Sequence, residues 1–209
     1  MLMKKILVLA PHTDDGELGC GGTISRLLRE ESDVYYCAFS TAKESLPEGM
    51  PENTLELEVK EATKRLGING KNLFIHTFPV RKLNFYRQDI LEILIKLKTS
   101  VNPDTIFLPS PNDQHQDHLT VAAEGCRAFK DRTILAYELP WNNFEFKNQC
   151  FIKLGEEDVR RKIYSLNAYD SQKHRRYMSC KYIESWAITR GASINEDFAE
   201  CFEVIRSIF

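Results

Sequence analysis

Between Lys5 and Glu138, apolar runs of strand length alternate with stretches whose apolar residues recur at helical spacing, and no other feature constrains the fold as tightly. The strand-like runs are Lys5–Ala10, Val34–Ser40, Leu73–Phe78, Thr105–Leu108 and Thr133–Glu138. Helical spacing follows in Ile24, Leu27 and Leu28, then in Leu55, Val59, Ala62 and Leu66, where Gly67 supplies a C-cap. Further helices are expected over Gln88–Ser100 and His118–Lys130. Gly19–Thr23 reads as a glycine-rich turn between the first strand and the first helix. Strands taking turns with helices predict an α/β, Rossmann-like fold with a mostly parallel sheet covered on both faces. Beyond Glu138, a strand at Phe151–Leu154, a helix carrying Val159, Ile163 and Leu166, a helix around Tyr182–Ala187 and a strand near Cys201–Ile205 extend the same domain. At 209 residues and 43% hydrophobic content the chain can bury one sizeable core and is short for two, so a single domain over 1–209 is expected.

A net charge of -2 leaves no basic surplus for a phosphate backbone, which argues against nucleic acid as a partner. Only five apolar residues, Ile6–Ala10, precede Pro11, too few for a signal-peptide core, and no later run approaches a membrane span. The six cysteines form no CxxC pair and no dense framework, which fits a reducing cytoplasm better than secretion. The oligomeric state is unreadable, and a homo-oligomer stays open.

Three of the five histidines fall in two short segments, His12-Thr13-Asp14-Asp15 after the first strand and His115-Gln116-Asp117-His118 after the fourth. In a doubly wound sheet strands 1 and 4 are neighbours at the switch point, and ligands bind outside their carboxyl ends. Either segment taken singly reads equally as a polar turn with a helix cap. Brought face to face, they offer imidazole nitrogen and carboxylate oxygen, a donor set suited to zinc with one coordination position left open. Spacing does not say which of Asp14 and Asp15 would bind the metal.

Pro11–Thr23 (PHTDDGELGCGGT) together with HQDH resembles the LmbE-like or PIG-L deacetylases, zinc-dependent enzymes that act on N-acetylglucosaminyl groups. The resemblance implies His12, Asp15 and His118 as metal ligands and Asp14 as general base. It further implies that His115 polarises the carbonyl or protonates the leaving amine, oriented by Asp117. Tyr169-Asp-Ser-Gln172 resembles the family's serine-glutamine motif, and Ala199–Phe202 its C-terminal strand. The chemistry gives these roles sense. Zinc lowers the pKa of its water from near 16 to about 7 and polarises the acyl oxygen. A well-placed oxyanion donor adds roughly 3 to 4 kcal/mol. Iron or cobalt would also satisfy nitrogen and oxygen donors.

Departures from the family pattern bear on the substrate. Thr13 and Gly16 replace its usual proline and glutamate, with Glu17 one place later, and Leu55 stands where it often has an arginine, three residues before Glu58. Arg81, Asn84 and Arg87 could supply replacement sugar contacts or form an ordinary polar loop. Glu138 and Trp141 could reach a sugar ring, and Trp141 could equally pack in the core. A dinucleotide-binding oxidoreductase is disfavoured because Ile24 stands where GxGxxG needs its last glycine, and Phe39-Ser40 ends strand 2 without an acid for the ribose. A non-catalytic carbohydrate-binding module fits less well, because structural zinc is usually closed by four ligands, mostly thiolate. The expectation is zinc-dependent N-deacetylation of a small N-acetylated amino sugar or its conjugate, with hydrolysis of another small amide or thiol conjugate as the alternative.

Overall fold

A computed structural model describes residues 3–208. Its strands are β1 (Lys5–His12), β2 (Asp33–Ser40), β3 (Leu73–Ile75), β4 (Thr105–Pro109), β5 (Thr133–Tyr137), β6 (Cys150–Leu154) and β7 (Phe198–Arg206). The helices are α1 (Asp15–Arg29), α2 (Thr54–Leu66), α3 (Arg87–Val101), α4 (Gln116–Ala128), α5 (Glu156–Leu166) and α6 (Cys180–Ala192). All seven strands join one sheet in the order β3-β2-β1-β4-β5-β7-β6. The first five are parallel, β7 runs antiparallel to β5, and β6 antiparallel to β7.

The continuous apolar runs follow from burial on both faces. Along β1, Ile6, Val8 and Ala10 join Leu18 and Ile24 of α1 and Val59 and Ala62 of α2 in one core. Leu7 and Leu9 point the other way, toward Ile90 and Leu94 of α3 and Val121 of α4. Gly67 ends α2 at φ 103°, with its N–H bonded to Lys64 and Thr63 carbonyls at 3.0 and 3.2 Å.

The expected glycine turn is absent, because α1 begins at Asp15 and carries Gly16, Gly19, Gly21 and Gly22 within it, broken only at Cys20 (φ -145°, ψ 23°). Close packing is the reason: a Cβ on Gly19 would sit 2.2 Å from the Tyr137 ring of β5, and one on Gly16 2.6 Å from Tyr36 of β2. The close helix–sheet approach outweighs the low helix propensity of glycine. The ladder of β3 is shorter than expected, although the N–H groups of His76 and Phe78 still bond to Ala38 and Phe39 carbonyls at 2.8 and 3.1 Å.

Candidate metal and active site

β1 and β4 pair directly through Ile6–Thr105, Leu7–Ile106 and Val8–Phe107, so their carboxyl ends deliver both histidine segments to one place. His12 is the last residue of β1, and Asp14 occupies the N-cap position of α1. His115 caps α4, its Nδ1 accepting the Asp117 N–H at 3.1 Å. His118 then lies on the first turn of that helix.

Three atoms converge at the junction. His12 Nδ1 lies 3.0 Å from Asp15 Oδ2, His118 Nε2 lies 3.2 Å from the same oxygen, and the two nitrogens are 3.2 Å apart. Ligands at 2.0–2.2 Å in a tetrahedral shell have edges of about 3.3 Å, so this triangle fits one divalent cation with a position to spare. The remaining ring nitrogens are also held. His12 Nε2 meets Asp117 Oδ2 at 3.0 Å, and His118 Nδ1 meets Asp113 Oδ2 at 2.7 Å, the carboxylate–histidine pairing that fixes tautomer and ring orientation at metal sites.

The electrostatics favour positive charge at this focus. Burial disfavours charge on His12 and His118, but the Asp15 carboxylate between them raises the two imidazoles to about 9 and about 10. Burial likewise opposes charge on Asp15, and His118 and His12 outweigh it, holding the carboxyl well below its usual range. Asp14 differs: its side chain makes no capping bond, it lines the adjoining cavity, and burial with the neighbouring Asp15 pushes it up to about 6. His115 offers a ring nitrogen within 4.8 Å of those of His12 and His118. Burial and the two neighbouring imidazoles lower it to about 4, so it stays neutral, and with Nδ1 accepting, Nε2 carries the proton.

The cavity beside this cluster has a volume of about 200 Å³. One wall stacks Trp141 on Tyr177, ring centroids 4.0 Å apart at 8°. Gln172, Arg175 and Leu55 face the same space. Glu58 of α2 secures the Ser171-Gln172 turn, accepting the Ser171 N–H at 2.9 Å and its hydroxyl at 2.6 Å. Beneath the ligands, Glu17 is fully buried and bonds to the hydroxyls of Tyr36 and Tyr169, which both also reach the Thr13 carbonyl. Burial pushes Glu17 up to about 8, so a neutral acid braces the Thr13-Asp14 turn.

Sequence and structure part company at five residues. The Asp117 carboxylate does not orient His115: it holds His12 and accepts the backbone N–H of Arg81 at 2.5 Å and of Leu83 at 3.0 Å. Arg81 contributes this backbone contact from a left-handed conformation (φ 63°) while its side chain is exposed, and Asn84 is exposed as well. Glu138 is turned away to α6, bonded to Trp186 Nε1 at 3.0 Å and Arg190 Nε at 2.9 Å. Arg81, Asn84 and Glu138 are not among the residues that line the cavity, and Arg87 is paired with Glu124 at 2.6 Å. Sequence reasoning missed Asp113, Arg175 and Tyr177. Of these only Asp113, an acid two residues before HQDH, left a local signal.

The chain is 30% identical over 178 residues to the uncharacterized deacetylase YaiS of Escherichia coli, spanning 80% of this chain and 91% of that protein. It is 29% identical over 124 residues to the diacetylchitobiose deacetylase of Thermococcus kodakarensis, 56% of this chain and 45% of the archaeal one. Among solved structures, the conserved protein TT1542 of Thermus thermophilus superposes with a TM-score of 0.84 at 25% identity, covering 99% and 97% of the two chains. Residues 7–129, more than half of the chain and both histidine segments, match the PIG-L family of GlcNAc-PI de-N-acetylases, and the chain belongs to that family.

Proposed function

We propose that this protein is a metal-dependent hydrolase that removes the acetyl group from a small N-acetylated amino sugar or its conjugate, releasing acetate and a free amine. The observation that carries the reading is the convergence of His12, Asp15 and His118 beside a cavity into which Asp14 and His115 also face. A divalent metal held by those three residues, zinc first and iron or cobalt by the same donors, supplies Lewis acidity toward the acyl group and makes water a competent nucleophile at neutral pH.

The rest of the chemistry falls to the chain. Asp14, uncommitted and raised toward neutrality, accepts a proton from the attacking water, as a general base should near the operating pH. The neutral His115 donates its Nε2 proton toward the acyl oxygen, where negative charge develops as the new C–O bond forms. When the C–N bond breaks, the proton held by Asp14 goes to the departing amine. Asp117 and Asp113 keep the ligand imidazoles aimed. The Trp141–Tyr177 stack offers an aromatic face for the apolar side of a pyranose, in keeping with a sugar substrate such as the archaeal relative's name states. Among the described residues no helix is long and apolar enough to cross a membrane, and the six cysteines are unpaired, which suits catalysis in a reducing cytoplasm.

The test is elemental analysis of the purified protein beside its His118→Ala variant, followed by acetate release from N-acetylated sugars. About one equivalent of divalent metal per parent chain and clearly less in the variant supports the site. No metal in either, even after zinc is supplied, overturns it.

A further inference from the structure

Most arginines of this chain are engaged by carboxylates: Arg26 by Glu30, Arg29 by Asp158, Arg65 by Glu61, Arg87 and Arg127 by Glu124, Arg132 by Asp131, Arg160 by Glu156 and Arg190 by Glu138. Arg175 is different. It is half-buried and lines the cavity, the one arginine or lysine among the described residues to do so. Its Nε donates to Gln172 Oε1 at 2.7 Å and its guanidinium carbon stands 5.8 Å from the centre of the Tyr177 ring, so the group is aimed and steadied by residues of the same wall. No carboxylate among the described residues forms an ion pair with it, and the Tyr177 hydroxyl is its nearby polar neighbour on the same wall. Arg175 and Asp14 line the same cavity. Arg176, next in the chain, is exposed and also lacks a carboxylate partner among the described residues, so positive potential extends from the cavity to its rim.

We infer that Arg175 is a specificity-determining residue that takes an oxyanion substituent, a phosphate or a carboxylate, carried by the N-acetylated sugar. A guanidinium without a carboxylate partner presents donors that match the oxygens of such a group, and partial burial strengthens the match. Neutral hydroxyls would leave the charge uncompensated in a site that excludes part of its water. Leu55, which lines the same cavity, offers no competing cation. The inference deepens the deacetylase reading and rests on it for the reaction, though not for the binding.

The experiment compares N-acetylglucosamine with its 1-phosphate and 6-phosphate and with N-acetylmuramic acid, whose anion is a carboxylate, as substrates of the metal-loaded enzyme. Titration calorimetry with glucose 6-phosphate, which has no acetyl group, reads binding separately. Parent protein, Arg175→Gln, Arg175→Lys and the rim control Arg176→Gln are measured side by side. The expected result is a preference for at least one anionic sugar over the neutral one, by about ten- to a hundredfold in kcat/KM. That preference collapses in Arg175→Gln, returns in part in Arg175→Lys and persists in Arg176→Gln, and the better of phosphate and carboxylate identifies the natural substituent. Equal use of neutral and anionic sugars, or a preference that survives Arg175→Gln, overturns the inference. If glucose 6-phosphate binds in an Arg175-dependent way while no sugar releases acetate, the subsite stands and the deacetylase reading falls. If acetate is released without any preference, the converse holds.

Discussion

Two clusters of buried charge lie along helix α1, and they differ in what they leave unspent. Beside its middle, Glu200 of β7 and Lys162 of α5 are each about 5% exposed and bonded to one another at 2.7 Å. Glu200 also accepts the Gly22 N–H at 3.0 Å and the Thr23 N–H at 2.6 Å, while the Lys162 ammonium lies over the Trp186 ring. That cluster is closed: its charges satisfy one another and the helix kink. At the N-terminal end of the same helix, His12, Asp15 and His118 point donor atoms at a common centre, while Asp14 and His115 keep proton-transfer capacity that no side chain takes up. Buried charge therefore says little about function. What distinguishes the second cluster is spare bonding capacity beside a cavity.

The comparison can be broken most sharply at Asp14. Asp14→Asn should keep its metal but lose about a hundred- to ten-thousandfold in kcat for acetate release. Turnover near that of the parent would move the general base elsewhere. In the closed cluster, Lys162→Met strands the Glu200 carboxylate and should cost about 3–5 kcal/mol of stability by urea unfolding, with metal stoichiometry unchanged. Metal loss in a still-folded Lys162→Met protein would mean that the two clusters are not separate. Asp113→Asn should show the smallest effect, an affinity for zinc about ten- to a hundredfold weaker in competition with a chelator. Unaltered affinity would leave Asp113 as support for the loop before α4 and nothing more.

The meeting of the two histidine segments was legible because each is local in sequence and the strand alternation places both at adjacent strand ends, whereas the choice of Asp15 over Asp14 rested on the family resemblance alone. Other features had no such carrier. Asp117 was expected beside His115, yet residues two apart at a helix start do not face each other, and its carboxylate reaches across to His12. Glu138 follows β5 on the correct edge, but its direction there is set by Arg190 and Trp186 of α6, which no pattern near Glu138 announces. Arg175 and Tyr177 belong to a polar stretch of short 3-10 turns without hydrophobic periodicity, so nothing tied them to a cavity. The glycines of α1 looked like a turn because glycine disfavours helix, whereas the reason for them is the Tyr137 and Tyr36 rings, far away in sequence. Strand direction was hidden for a related reason, since an apolar run reads the same whether its partner is parallel or antiparallel, as β7 shows.

One carboxylate, that of Asp117, sets how the 80–86 segment can move. Asp117 clasps His12 with the same oxygen that receives the Arg81 N–H, and its other oxygen receives the Leu83 N–H. Swinging the 80–86 segment outward would forfeit two charge-assisted bonds, roughly 1.5–3 kcal/mol each, and slacken the hold on the His12 ring. Arg81 stays in a left-handed backbone state costing about 1–2 kcal/mol because those anchors hold it there. The segment thus behaves as a fixed jamb. Arg175 and Tyr177 border the same cavity from a separate stretch, held by the Ser171–Glu58 and Arg175–Gln172 bonds and not by Asp117.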